Sequence, residues 1–134
     1  MDPEALLARA AEAMERAYAP YSGFRVGAAV LAEDGSVFAG CNVENASYGL
    51  TVCAERAAVA AAVAQGHRRF TAVALRTTGK HPVAPCGACR QVLAEFGDDM
   101  VVVSAAGDEV TRWTLSELLP APFQGLDVLP RNDG

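Results

Sequence analysis

The sequence predicts an α/β fold, a three-layer α/β/α sandwich built on a mixed five-stranded sheet. Three observations carry that expectation. Apolar residues recur at helical spacing near the start, apolar strand-like runs alternate with turn dipeptides, and helical segments separate the later strands. A helix between neighbouring strands calls for a right-handed crossover and makes the sheet partly parallel. The 134 residues suffice for one ordinary core and are read as a single domain over 1–134, without internal repeat or linker-like stretch.

Pro3 opens the first helix, whose apolar stripe of Leu6, Leu7, Ala10, Met14 and Ala17 runs to about Tyr18 and Pro20. Phe24 to Ala32 reads as a strand, Asp34-Gly35 as a tight turn, and Ser36 to Val43 as the hairpin partner. Glu44 to Thr51 is a polar, irregular connection. Thr51 is placed to cap an Ala-rich second helix from Cys53 to Gln65, stopped by Gly66. Phe70 to Thr77 is the third strand; a Gly/Lys/His/Pro loop follows, then a helix from Pro85 to Phe96 closed by Gly97. Met100 to Ala105 is a strongly apolar strand. Gly107-Asp108 turns the chain into Glu109 to Thr114, and Leu115 to Leu119 is a short helix halted by Pro120. From Phe123 the tail is irregular.

Eleven Lys and Arg against sixteen Asp and Glu give a net charge of -5, which offers no basic face for a nucleic acid and favours small-molecule partners. Met1-Asp2-Pro3-Glu4 lacks the basic start and apolar core of a signal peptide, and no apolar run reaches membrane-spanning length. The expected compartment is the cytoplasm, with no membrane partner. In that reducing setting the four cysteines point to metal or catalytic thiols rather than structural disulfides.

Cys86 and Cys89 stand three apart, so on a helix one metal bridges both, and Pro85 fits the first helical position. Cys53 and Glu55 are two apart and diverge on an ideal helix, so Cys53 is expected at the very start of its helix. Both helix N-termini then point at the metal and favour thiolates. Three thiolates fill three of the four positions that zinc prefers and leave one open, the outline of a hydrolytic site. Glu55 is placed beside them to take a proton from water and pass it to a substrate nitrogen. Three thiolates also leave Zn²⁺ with a net charge of about -1, which weakens it as a Lewis acid. A cationic partner for the sulfurs is therefore expected, and Arg56 is favoured over Arg90. Cys41, in a predicted strand, is read as a core thiol; as a fourth ligand it would make the site purely structural. His67 and His81 lack ligand spacing and are read as solvated.

A Cys or His followed by x-Glu, and later by Pro-Cys-x-x-Cys, is the signature of zinc nucleobase deaminases. The whole sequence resembles the small, homotetrameric cytidine deaminases. The resemblance runs through Tyr18-Ala-Pro-Tyr-Ser22, Phe24-Arg-Val-Gly-Ala28, Gly40-Cys-Asn-Val-Glu-Asn-Ala-Ser-Tyr48 and Pro85-Cys-Gly-Ala-Cys-Arg-Gln91. It implies one Zn²⁺ per chain on Cys53, Cys86 and Cys89. It implies Glu55 as a proton shuttle serving first N3 of the pyrimidine and then the leaving ammonia, while water attacks C4. Cytidine and deoxycytidine would be the substrates, in pyrimidine salvage. Asn42 and Glu44 match residues that hold the ribose hydroxyls, and Phe24 matches the aromatic beside the nucleoside. Asn45, Ala46, Ser47, Tyr48 and Ala54 complete the implied substrate-binding set. Ala46 and Tyr48 lie in a stretch that in the family reaches a neighbouring subunit's site, and Phe123 resembles a late aromatic that closes a site in trans. Two rival readings stay open: a deaminase of another cyclic amidine, such as an aminopyrimidine antibiotic, and a non-catalytic structural zinc module.

Overall fold

The computed structural model describes residues 1–125. Strands β1 (Val26–Ala32), β2 (Val37–Cys41), β3 (Phe70–Thr77), β4 (Val101–Ala106) and β5 (Glu109–Thr114) form one sheet in the order β2-β1-β3-β4-β5. The helices are α1 (Leu7–Met14), α2 (Ala54–Ala64), α3 (Gly87–Ala94) and α4 (Leu115–Leu118). Of the neighbouring pairs only β3 and β4 are parallel, and α3 lies in their connection. β2 and β3 flank β1 and both run antiparallel to it. The connection through α2 therefore carries the chain over β1 between two strands of the same direction.

Alternation along the strands divides the core in two. Ala29, Leu31, Ala72 and Ala74 face Leu6 and Ala10 at the α1 side. Ala28, Val30, Val73, Leu75 and Val102 face Ala54, Ala58, Val59, Ala62 and Leu93 of α2 and α3. That is the expected three-layer arrangement, with period-2 strands serving two helix layers. Two glycines set how closely the layers approach. A Cβ at Gly27 would collide with the Ala10 carbonyl of α1, and one at Gly40 would sit 2.5 Å from the Ala58 backbone nitrogen of α2. The second contact seats α2 directly against edge strand β2.

Several boundaries differ from the sequence reading, each for a local reason. The first helix begins as a 3₁₀ turn, Pro3–Leu6, whose N-cap Asp2 accepts a bond from the Glu4 N–H, and α1 ends at Met14. Ala17 stays buried, but Tyr18 leaves the helix to bridge Val43, its N–H donating to the Asn42 carbonyl. β1 starts at Val26 rather than Phe24, and β2 stops at Cys41. His67 is only partly solvated: its Nε2 meets Asp34 at 3.1 Å and its ring lies 4.7 Å from Phe38. Among the described residues no helix is long and apolar enough to cross a membrane. From Phe123 the chain is irregular to Gln124, as expected; residues 126–134, the rest of the predicted tail, lie outside the described residues.

Candidate active site

The connection before α2 contains a 3₁₀ turn, Tyr48–Leu50, and then Val52 pairs with Val43 through two backbone bonds of 2.9 Å. The chain thus enters α2 extended. Cys53 (φ -73°, ψ 152°) is the N-cap of α2, outside regular helical geometry as its spacing to Glu55 demands. Thr51 is not the cap; its hydroxyl accepts from the Asn45 N–H at 3.3 Å. Cys86 (φ -64°, ψ 166°) is likewise the N-cap of α3, so Pro85 precedes the helix instead of opening it. Neither cysteine side chain makes a capping bond to its helix.

Two helix starts therefore bring three sulfurs together. Cys86 and Cys89 Sγ are 3.3 Å apart, Cys53 and Cys86 Sγ 3.9 Å, and all three lie within 4.8 Å of one another. A tetrahedral zinc with bonds of about 2.3 Å places its sulfur ligands about 3.8 Å apart, so this donor set fits that ion. Cys89 is buried and Cys86 exposed, which leaves the cluster approachable on the Cys86 side. Cys41 lies outside the cluster. It is partly exposed and lines a groove with Arg9 and Arg16, which corrects its reading as a core thiol.

Hydrogen bonding with Cys89, helped by Arg56 and opposed by burial, draws the Cys53 thiol down to about 5, while the same contact and burial push the Cys89 thiol up. Arg56 Nη2 stands 3.9 Å from Cys53 Sγ and 3.2 Å from the Thr51 carbonyl. Arg90 spends its guanidinium elsewhere, on the carbonyls of Pro85 at 2.7 Å and Leu118 at 2.8 Å. Glu55, in the first turn of α2, is 5% exposed. Burial, aided by the Cys53 charge, raises its carboxyl above the usual range, while bonds from its own N–H and the Cys89 thiol oppose the shift.

A second group of side chains ties the loops beyond β1 and β2. Buried Asn42 accepts from the Val26 N–H and donates to the Phe24 carbonyl, both at 2.8 Å. Glu44 Oε1 accepts from the N–H groups of Tyr21 at 2.9 Å and Ser22 at 3.1 Å, and Oε2 accepts from the Ser22 hydroxyl. That hydroxyl is the main reason the Glu44 carboxyl sits below its ordinary value. Val43, between Asn42 and Glu44, bridges Val52, next to Cys53, so the two groups are joined by one short ladder. Ala54 is buried in the core. Asn45, Ala46, Ser47 and Tyr48 lie exposed on the outer loop, Tyr48 edge-on to Tyr21 at 6.2 Å. Phe123 is 66% exposed, its backbone held by the Gln91 amide through bonds of 2.9 and 3.1 Å. Within this chain Tyr48 and Phe123 both point largely into solvent. Sequence reasoning gave no separate part to Ser22 or Gln91; both stood only inside longer motifs, and nothing in their spacing announced a contact.

A mixed sheet between helical layers, with three thiols and a buried carboxyl gathered at two helix starts, defines a metal-dependent α/β enzyme. Residues 1–105 match the family described as the cytidine and deoxycytidylate deaminase zinc-binding region. A cytidine deaminase from Sporosarcina psychrophila is 48% identical over 130 residues, 96% of either chain. Another, from Halalkalibacterium halodurans, is 49% identical over 130 residues, 96% of this chain and 98% of that one. The crystal structure of cytidine deaminase from Burkholderia pseudomallei matches with a TM-score of 0.87 at 50% identity, covering 92% of this chain and all of that one. This chain belongs to that family of zinc-dependent deaminases.

Proposed function

We propose that this protein deaminates cytidine and 2′-deoxycytidine hydrolytically, giving uridine or 2′-deoxyuridine and ammonia, as a step of pyrimidine salvage in the cytoplasm. The observation that carries the reading is the meeting of Cys53, Cys86 and Cys89 beside buried Glu55. Relatives of nearly equal length bear the name cytidine deaminase. The three sulfurs would hold the zinc, which when bound supplies Lewis-acid activation of water. Glu55 takes a proton from the attacking water and delivers it to N3 as the oxygen bonds to C4. Its second task is to take the proton of the new C4 hydroxyl and hand it to the exocyclic nitrogen, so that C4=O forms as the C4–N bond breaks and ammonia leaves. Arg56 offsets the charge of the thiolates by its contact with Cys53.

Asn42 and Glu44 hold the sugar in this reading, with Phe24 beside the base and Asn45, Ala46, Ser47, Tyr48 and Ala54 lining the rest. A neutral sugar is best fixed by hydrogen bonds whose loss leaves polar groups unpaired. The chain acts as one domain and assembles as a homotetramer in which Ala46, Tyr48 and Phe123 reach neighbouring sites. The outward display of Tyr48, Leu50 and Phe123, each at least 66% exposed, supports an apolar partner surface.

The test is cytidine turnover by ultraviolet absorbance beside zinc content, for the wild type and Glu55→Gln. Loss of turnover in a variant that keeps one zinc per chain supports both substrate and shuttle. A wild type that carries zinc and leaves cytidine untouched overturns the reading in favour of another amidine substrate or a structural metal.

A further inference from the structure

We infer that Ser22 is a positioning residue for substrate binding, its single hydroxyl locking the Glu44 carboxylate and the Phe24 backbone into one arrangement. This rests on the reading that Glu44 and Phe24 hold the nucleoside. The direction of the bonds follows from counting protons. The Phe24 N–H donates to Ser22 Oγ at 3.0 Å, so the one Ser22 proton goes to Glu44 Oε2. Glu44 Oε1 already takes two backbone N–H groups. Oε2 keeps a lone pair, so the loop offers an acceptor, and a substrate hydroxyl meeting it must be the donor.

The surroundings make the lock two-sided. Gly23, at φ 73°, takes the left-handed turn that lets Ser22 bond the residue two positions on, and its own N–H donates to the Ala19 carbonyl at 2.9 Å. The opposite backbone group of Phe24, its carbonyl, is held by Asn42. The ring edge abuts Gly79, where an added Cβ would come within 3.0 Å of Cε1. Ser22 thus fixes at once the carboxylate and the main chain that carries the aromatic. Its exposure keeps its substitution out of the core.

The experiment is steady-state cytidine kinetics for Ser22→Ala, Ser22→Thr, Glu44→Gln and the Ser22→Ala/Glu44→Gln pair, with thermal midpoints. Ser22→Ala is expected to raise KM about 10-fold, the size of one hydrogen bond to a charged group, with kcat within about twofold of wild type. Ser22→Thr, which keeps the hydroxyl, should restore KM. In the Glu44→Gln background the alanine should add less than about twofold, because coupled groups are not additive. If Glu44→Gln raises KM while Ser22→Ala leaves it unchanged, or if the two penalties multiply in full, the positioning role is overturned. A lowered midpoint and kcat with unchanged KM would equally overturn it, assigning Ser22 to folding. If Glu44→Gln itself leaves KM unchanged, the reading of the loop fails at its premise, a result separate from the others.

Discussion

Cys53 of the sulfur cluster follows closely in the chain on the loop that carries Asn42 and Glu44, yet cluster and loop are built by different physics. The sulfurs are placed by packing: Cys53 and Cys86 stand at the starts of helices whose inner faces, Ala54, Ala58 and Leu93, are fully buried. The loop has little core of its own, and its backbone is held by side chains, Asn42 on Phe24 and Val26, and Glu44 on Tyr21 and Ser22. Packed helices are rigid because every displacement creates voids or clashes. Hydrogen bonds contribute about 0.5–1.5 kcal/mol each, and those of Glu44 at the surface can be exchanged for water. The sulfur cluster is thus fixed by the whole domain, and the Asn42–Glu44 loop is tuned residue by residue.

Five substitutions sharpen that contrast, in falling order of effect. Cys89→Ser removes a buried sulfur donor and should cost far more zinc affinity than the 10–100-fold or so typical of outer partners. Metal content together with turnover checks it, and retention of a full zinc complement would break the assignment. Gly40→Val drives a side chain into α2 at Ala57 and Ala58. It should destabilise by about 1–3 kcal/mol in denaturant titration and weaken zinc binding with it, since α2 carries Cys53 at its start. A variant as stable as wild type would show that packing does not set the metal end. Arg56→Ala should lower zinc affinity about 10-fold in chelator competition, whereas Arg90→Ala, whose guanidinium holds the Pro85 and Leu118 carbonyls, should chiefly lower the thermal midpoint.

The smallest effect belongs to α4, which has the ordinary side-chain cap that α2 and α3 lack. Thr114 and Glu117 form a capping box, and the bonds from the Thr114 N–H and hydroxyl hold the Glu117 carboxyl below its usual value. A carboxyl lowered in the folded state stabilises above its unfolded value, about 4.3, and loses that contribution as pH falls through the folded one. Glu117→Gln should therefore remove a slight part of the acid destabilisation below about pH 4.3, read from urea midpoints at pH 6 and pH 3. Identical pH slopes for the two proteins would sink the idea.

The two regions also differ in how far the sequence discloses them. The sheet, its three layers and the pairing of Cys86 with Cys89 were legible, because strand alternation, helix spacing and Cys-x-x-Cys are local patterns with one geometric outcome each; Cys53, 33 positions from Cys86, was tied to them only by the deaminase signature it forms with Glu55. Cap positions were less so. Thr51 is the better capping residue by side-chain preference, yet the Val43–Val52 bridge keeps the chain extended one residue further and makes Cys53 the cap. Pro85 also precedes its helix, because Cys86 after it is still extended. Ser22, Gln91 and the groove around Cys41 depend on contacts between segments roughly 20 to 30 residues apart, and no period in the chain encodes such a meeting.

One feature of the metal end reaches beyond chemistry. Cys53 and Cys86 are 33 positions apart, and the chain between them contains all of α2 and β3. An ion held by both closes that stretch into a loop, as a covalent cross-link would, and removes conformational freedom that the open chain otherwise keeps. Unlike a disulfide, this closure needs no oxidant to form and no reductant to open. The supply of the ion therefore constrains a stretch of 33 of the 134 residues as well as the reactivity of the site.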